Sequence, residues 1–256
     1  MASGKTADPR TIATELAGAL GTELGQELHG VLLYGSVARE EAVRGISDIN
    51  VLILVDTIDG ALLARTAPLA RRWAEQGVGP LLIEEAEWRR ASDVFAIEVL
   101  DMQDAHVLLH GRDPVAGLRV DPAQLRLQTE REIRARQVQF HNGLLAAAHD
   151  PAHVGAVLAG ALPAFVTYLR AALRLAGQTV PRATAATIQA GAALVDADPA
   201  AFLQVHEQRQ RGKLPSITLD DPLVAGFNEA AARTARYVDQ AAVATDPVNT
   251  QEGSST

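Results

Sequence analysis

The chain has 256 residues, 48% of them hydrophobic and 21% charged, with 31 acidic against 23 basic side chains and a formal net charge of −8. That balance excludes a mainly disordered chain and disfavours a protein whose main task is to grip a phosphate backbone, which is usually basic. The length suits one large domain or two small ones, either able to bury a core, and the absence of cysteine excludes disulfides, thiolate metal sites and cysteine nucleophiles together.

The polar segment Met1 to Arg10 does not read as a secretory signal. A first helix is expected from Pro9 to Leu28, because Ile12, Leu16, Leu20, Leu24 and Leu28 recur every four residues as one apolar stripe. Gly30 ends it, and Val31 to Tyr34 reads as a short buried strand. Ile49 to Val55 is a second strand, dense in Ile, Val and Leu. Gly60 to Gln76 reads as a helix closed by Gly77. Pro80 to Glu84 and Phe95 to Met102 are expected as the third and fourth strands. Five helices follow, near 121–148, 151–176, 182–195, 199–211 and 222–244.

Asp-Pro recurs seven times, at Asp8, Asp113, Asp121, Asp150, Asp198, Asp221 and Asp246. Asp accepts the free N–H groups of a first helical turn, and Pro fits the first helical position, where its missing N–H is no loss. Most of these pairs should therefore open helices. The longest uncharged apolar stretch, Val154 to Leu169, is broken by Pro163 and falls short of the ~18–20 residues of a membrane span; a cytoplasmic protein with no membrane partner is expected. The shift from mixed β-like and helical runs to an Ala-, Leu- and Arg-rich half predicts an α/β domain over 1–115, an all-helical domain over 116–245 and a frayed polar tail over 246–256.

The stretch that carries chemistry is Leu33-Tyr34-Gly35-Ser36-Val37-Ala38-Arg39, followed by Ser47-Asp48-Ile49-Asn50 and four aliphatics. It reads as strand, Gly-Ser turn, short helix, loop, then a strand with polar side chains at its start. Gly35 lets the backbone approach a ligand, Ser36 adds a hydroxyl, and a following helix N-terminus offers free N–H groups, so the turn is a reasonable phosphate cradle. Asp48 and Asn50 are two apart on a strand and share a face, where both could reach one metal ion held against phosphates.

This pattern resembles the nucleotidyltransferase superfamily, which includes DNA polymerase β and the aminoglycoside nucleotidyltransferases. Its signature is an apolar strand, Gly-Ser, a spacer, Asp-x-Asp or Asp-x-Glu on the next strand, and a third carboxylate on a later strand. Gly35-Ser36 and Asp48 match it, Asp48 lying twelve positions after Ser36, and Arg39 completes Gly-Ser-x-Ala-Arg. The resemblance covers roughly residues 10 to 110, and the helical half looks like the helical domains that follow this module in small bacterial members. It implies a mixed sheet of four or five strands in an α/β (α+β) nucleotidyltransferase-like domain, an all-α bundle behind it, and transfer of a nucleoside monophosphate from an NTP, with ATP expected, to a hydroxyl. On this reading Gly35, Ser36 and Arg39 hold phosphates, and Asp48, Asn50 and Glu98 bind Mg²⁺. In the helical half Glu130 could serve as general base and Arg134 could touch phosphate, because the helical domain closes one side of the cleft.

The departure from the pattern is Asn50, where the signature has a second carboxylate. An Asn can offer Mg²⁺ a carbonyl oxygen but brings no charge, so a position between two cations loses much of its attraction. That leaves one metal bound with the nucleotide, or a catalytically silent member of the fold that binds nucleotide or a protein partner. For the third carboxylate Glu98 is the first choice, as a charge inside an apolar run that needs water or a partner. Asp101 comes next, and Glu84 last. The plainer readings are a wet sheet face for Glu98, a tight turn for Gly35-Ser36, and a solvated face with i,i+4 pairs for Glu130–Arg134. Ser3-Gly4-Lys5-Thr6 resembles the end of a P-loop but lacks its first glycine and a preceding strand. The acidic balance favours a small-molecule or protein acceptor over nucleic acid.

Overall fold

The computed structural model describes residues 8–43, 47–90, 94–214 and 216–242. The chain runs α1 (Pro9–Leu24), β1 (Leu28–Tyr34), β2 (Ile49–Val55), α2 (Gly60–Glu75), β3 (Val78–Glu84), α3 (Glu85–Arg90), α4 (Ala96–Asp104) and β4 (His106–Gly111), then α5 (Pro122–Ala147), α6 (Pro151–Leu175), α7 (Thr184–Leu194), α8 (Ala200–Gln210) and α9 (Pro222–Gln240). The four strands form one mixed sheet in the order β3-β2-β1-β4. β1 is antiparallel to both its neighbours, and β2 and β3 are parallel.

Both faces of the sheet are covered, which is why β1 and β2 read as unbroken apolar runs. Val31, Leu33, Val51, Ile53 and Val55 face a core shared with α1 and α2. The alternate residues Leu32, Leu52 and Leu54 face Trp88, Val99 and Met102 on α3 and α4. The helical half closes around Phe140, Phe165, Phe202 and Phe227, with ring centroids as close as 4.6 Å. α6 threads this core. It has 25 residues and is apolar enough by composition to cross a bilayer, but 67% of that apolar window is buried inside the molecule. The apolar segment is thus longer than the stretch legible around Val154.

Four of the Asp-Pro pairs open helices as expected: Asp8, Asp121, Asp150 and Asp221 each accept a first-turn N–H. Asp198, two residues before α8, accepts from Ala200 N at the first position of that helix. Asp113 instead folds a turn, accepting from Val115 N at 3.0 Å. Asp246-Pro247, Ser3 to Thr6 and the tail from 246 onward lie outside the described residues.

Four expectations change, the first being the short helix after Gly35-Ser36: residues 35–40 form turns and no helix. The first helix stops at Leu24, where Gly25 turns the chain at φ +54°, and Leu28 already starts β1. Phe95 to Met102 is not a strand: α4 occupies it, with Val99 N bonded to Phe95 O at 2.9 Å. Its apolar residues serve two cores, Val99 and Met102 under the sheet and Ala96 and Ile97 in the helical bundle. That double burial removes the one-sided stripe by which a helix is recognised. The fourth strand is His106–Gly111, an edge strand paired to β1 and only partly buried, so it lacks a dense apolar signal.

Candidate active site

Where β1 ends, Gly35 turns the chain with φ +75°, and a Cβ on it would stand 2.8 Å from Asn50 Nδ2. Both facts require glycine. The turn then closes on itself, Arg39 N donating to Gly35 O at 3.1 Å and Glu41 N to Ser36 O at 2.9 Å. Asp48 lies exposed one residue ahead of β2, and Asn50 is the second residue of that strand. Across the sheet Asn50 pairs with Tyr34 on β1 and Gly79 on β3.

These groups form one lip of a cleft of about 270 Å³. The other lip comes from the helical half: Pro163, Val166 and Arg170 of α6, Thr184 of α7, and His206, Arg209 and Gln210 of α8. Pro163 explains one detail of that lip. It has no N–H for the helix ladder, so Ala159 O is left without its usual partner, and Arg209 Nη1 donates to that carbonyl. Burial lowers the Arg209 pKa, with the Asp48 carboxylate opposing the shift. Burial also lowers the His206 pKa, against Glu41 and with Arg209, which favours the neutral form of its ring.

Beneath the cleft lies a buried charge cluster. Arg39 Nη2 donates to both the backbone and the side-chain oxygen of Asp101, and Arg170 Nη1 stands 3.7 Å from the same carboxylate. Only 5% of each arginine side chain is exposed. Arg170 is pushed down to about 10, first by burial and then by the neighbouring guanidinium of Arg39. Glu41 ties the two halves together: its carboxylate accepts from Thr184 N at 2.8 Å and from Thr184 Oγ1, and its carbonyl accepts from Gln210 Nε2 at 3.2 Å.

Of the residues singled out in the sequence, Gly35, Ser36, Arg39, Asp48, Asn50 and Asp101 all line this cleft. Glu98 does not. It sits on α4 and accepts from Gln128 Nε2 at 2.9 Å, toward α5. Glu130 pairs with Arg126 at 3.0 Å and Arg134 with Asp239 at 3.4 Å, both away from the cleft. The reason is packing: α6, α7 and α8 line the cleft opposite the sheet end and are tied to it through Glu41, while α5 packs on α4, α6 and α9. Glu84 lies at the opposite end of β3 and accepts from Ile58 N at 2.8 Å. The groups that sequence reasoning missed are Glu41, Arg170, Thr184, His206 and Arg209. Arg170 had a signal, since a guanidinium within the apolar run of α6 needs a partner as much as Glu98 does.

The residues present do not fit two metal ions. Among the described residues no group of three or more His, Asp or Glu is arranged to hold one. On β3 the residue level with Asn50 is Gly79, so that strand brings no carboxylate. Asp101 and Glu41 are already occupied, by Arg39 and by Thr184. Asp48 and Asn50 are left on the sheet lip, a carboxylate and an amide that would serve at most a single Mg²⁺, its remaining ligands coming from phosphates and water.

The backbone matches a solved structure of spectinomycin adenyltransferase AAD(9) from Enterococcus faecialis with ATP and spectinomycin, at a TM-score of 0.58 and 12% identity, over 88% of this chain and 98% of that one. The likeness at that identity is one of fold: the chain has the nucleotidyltransferase fold, a mixed-sheet α/β module followed by helices. No family model and no curated protein matches the chain.

Proposed function

We propose that this chain binds a nucleoside triphosphate at the Gly35-Ser36 turn and transfers its nucleoside monophosphate to a hydroxyl of a small-molecule or protein acceptor. The observation that carries this reading is the meeting of Gly35, Ser36, Asp48 and Asn50 with Arg209 and His206 across one cleft. The acceptor oxygen would bond to the α-phosphorus, the bond to the β-phosphate would break, and pyrophosphate would leave. Ser36 and the backbone of its turn hold phosphate oxygens; Arg209, anchored on Ala159 O, faces the triphosphate charge from the opposite lip. His206 takes the hydroxyl proton in the role first sought in Glu130, since its neutral ring lines the cleft with no hydrogen-bond partner among the described residues. A single Mg²⁺ arriving on the triphosphate would take Asp48 and Asn50 as its protein ligands and offset the charge developing on the leaving pyrophosphate. The AAD(9) structure contains ATP and a small-molecule acceptor, which supports ATP as the donor and a small molecule as the acceptor.

A second reading has its own observation. Asn50 is uncharged and Gly79 stands beside it, so the sheet presents Asp48 as its one carboxylate to the cleft among the described residues. On this reading the chain binds nucleotide without transferring it. Calorimetry of each NTP, with and without Mg²⁺, tests the shared part. Mg²⁺-dependent binding is expected in the wild type and lost in Asp48→Ala; no binding of any NTP to folded wild type at millimolar ligand would overturn both readings. Pyrophosphate release then separates them. Transfer predicts release that Asp48→Ala abolishes. Binding alone predicts none in the wild type, with some gained on Asn50→Asp.

A further inference from the structure

We propose that a second cavity, on the far side of the Arg39–Arg170 pair from the nucleotide cleft, binds a phosphate-class anion. This cavity of about 100 Å³ lies between the end of α4 and the loop joining α6 to α7, and is lined by Arg39, Asp104, Arg170, Val180, Pro181 and Arg182. Arg39 and Arg170 line both spaces and form the partition between them.

Charge is the first argument. Asp104 is taken up by Arg174 from α6, and Asp101 is shared by Arg39 and Arg170. Glu41 adds a third carboxylate on the cleft side, with both oxygens engaged by Thr184. Adding Arg182, four guanidiniums face three carboxylates, in a chain whose net charge is −8. The charge in excess is that of exposed Arg182, while the two almost fully buried guanidiniums, Arg39 and Arg170, have the single carboxylate of Asp101 between them within ion-pair distance. A small anion in the cavity would balance it.

Donor geometry is the second. All the contacts of Arg39 run through Nη2, and the single hydrogen bond of Arg170 runs through its own Nη2 to Thr184 Oγ1 at 3.3 Å. Arg39 therefore keeps Nε and Nη1, and Arg170 its Nε, without a hydrogen bond or ion pair among the described residues, while Arg170 Nη1 faces Asp101. Arg182 stands exposed at the mouth with no partner among them. Three guanidiniums lining one small space match the oxygens of a phosphate group in number and charge. The wall is fixed, since Pro181 O accepts from Thr187 Oγ1 at 2.9 Å and Gln178 N bonds to Leu173 O at 2.9 Å.

The test is calorimetric titration of inorganic phosphate into the full chain without nucleotide, at low ionic strength, on the wild type, Arg182→Gln and Arg209→Gln. Arg182 is exposed, so its replacement leaves the fold intact, and Arg209 lines only the nucleotide cleft. The proposal expects saturable binding that weakens about tenfold in Arg182→Gln, the loss of one charge-assisted contact, and is unchanged in Arg209→Gln. Binding lost in Arg209→Gln but kept in Arg182→Gln would put the anion in the nucleotide cleft and overturn the proposal. So would the absence of saturable binding at millimolar phosphate. Within the supporting outcome, a sugar phosphate that competes identifies the site as an anchor for a phosphorylated ligand, and one that does not identifies free phosphate as the occupant. The readout needs no nucleotide, so failure of ATP to bind leaves this result standing.

Discussion

The two lips of the cleft are built in opposite ways. The sheet lip gathers Gly35, Ser36, Asp48 and Asn50 from sixteen consecutive positions, at the adjoining ends of two paired strands. The helical lip draws Arg170, Thr184, His206 and Arg209 from three helices spread over forty residues. The sheet lip holds its ligand-facing groups by backbone geometry: a left-handed glycine, a strand register and a turn that closes on its own amides. The helical lip holds its groups by charge and burial. Substitutions should therefore cost stability on the helical side and binding on the sheet side.

The largest effect on stability is expected at the cluster joining the lips. Asp101→Asn keeps the shape of the side chain but leaves Arg39 and Arg170 buried beside each other without a carboxylate. Breaking a buried pair in this way costs about 3 kcal/mol or more. Arg170→Met should cost less, because it removes the guanidinium that repels Arg39 along with the weaker contact to Asp101. Urea midpoints of the two variants give the order directly. A larger loss for Arg170→Met than for Asp101→Asn would mean that packing, and not charge, dominates this junction.

On the sheet lip the sharpest probe is Gly35→Ala. The added methyl meets Asn50 Nδ2 at 2.8 Å in a backbone held at φ +75°. Strain of this kind costs about 1–3 kcal/mol, and Asn50 must move to relieve it. Nucleotide affinity should fall together with stability, and Gly35→Ala with wild-type affinity for ATP would remove the turn from the binding site.

The same contrast explains what could be read from the sequence. The sheet lip was legible because its chemistry is local: Gly35-Ser36 and Asp48-x-Asn50 sit at the ends of apolar runs that read as strands, close together in the chain. The helix starts at Asp8, Asp121, Asp150 and Asp221 were legible for the same reason, since a cap is decided within three residues. The helical lip was not legible, because Arg209 reaches the cleft only through the carbonyl that Pro163 frees, forty-six residues upstream. Glu130 and Arg134 had the right chemistry on the wrong helix. α4 was misread because its residues satisfy two cores at once, yet Glu98 and Asp101, three apart, trace a polar stripe that a strand would have put on opposite faces.

That stripe leads to the smallest expected effect, at a junction outside both lips. Gln128 on α5 bridges two carboxylates, donating through Nε2 to Glu98 at 2.9 Å and to Glu132 at 2.6 Å. Burial raises the Glu132 pKa above 4.5, and the Glu98 carboxylate adds to the shift, against the Gln128 hydrogen bond and the charges of Arg136 and Arg131. A raised carboxyl pKa means that the folded state binds more protons than the unfolded one. The contribution of Glu132 to stability is then fully present below the unfolded value and is lost as pH rises through the folded one. Glu132→Gln removes that dependence while its amide oxygen still accepts from Gln128. The variant should match the wild type near pH 4 and be more stable at pH 7 by under about 1 kcal/mol, because the group is partly solvated. Thermal unfolding at the two pH values reads the difference. A variant less stable than the wild type at pH 7 would show that the ionised carboxylate holds α4 against α5, and that charge fixes this junction as it fixes the helical lip.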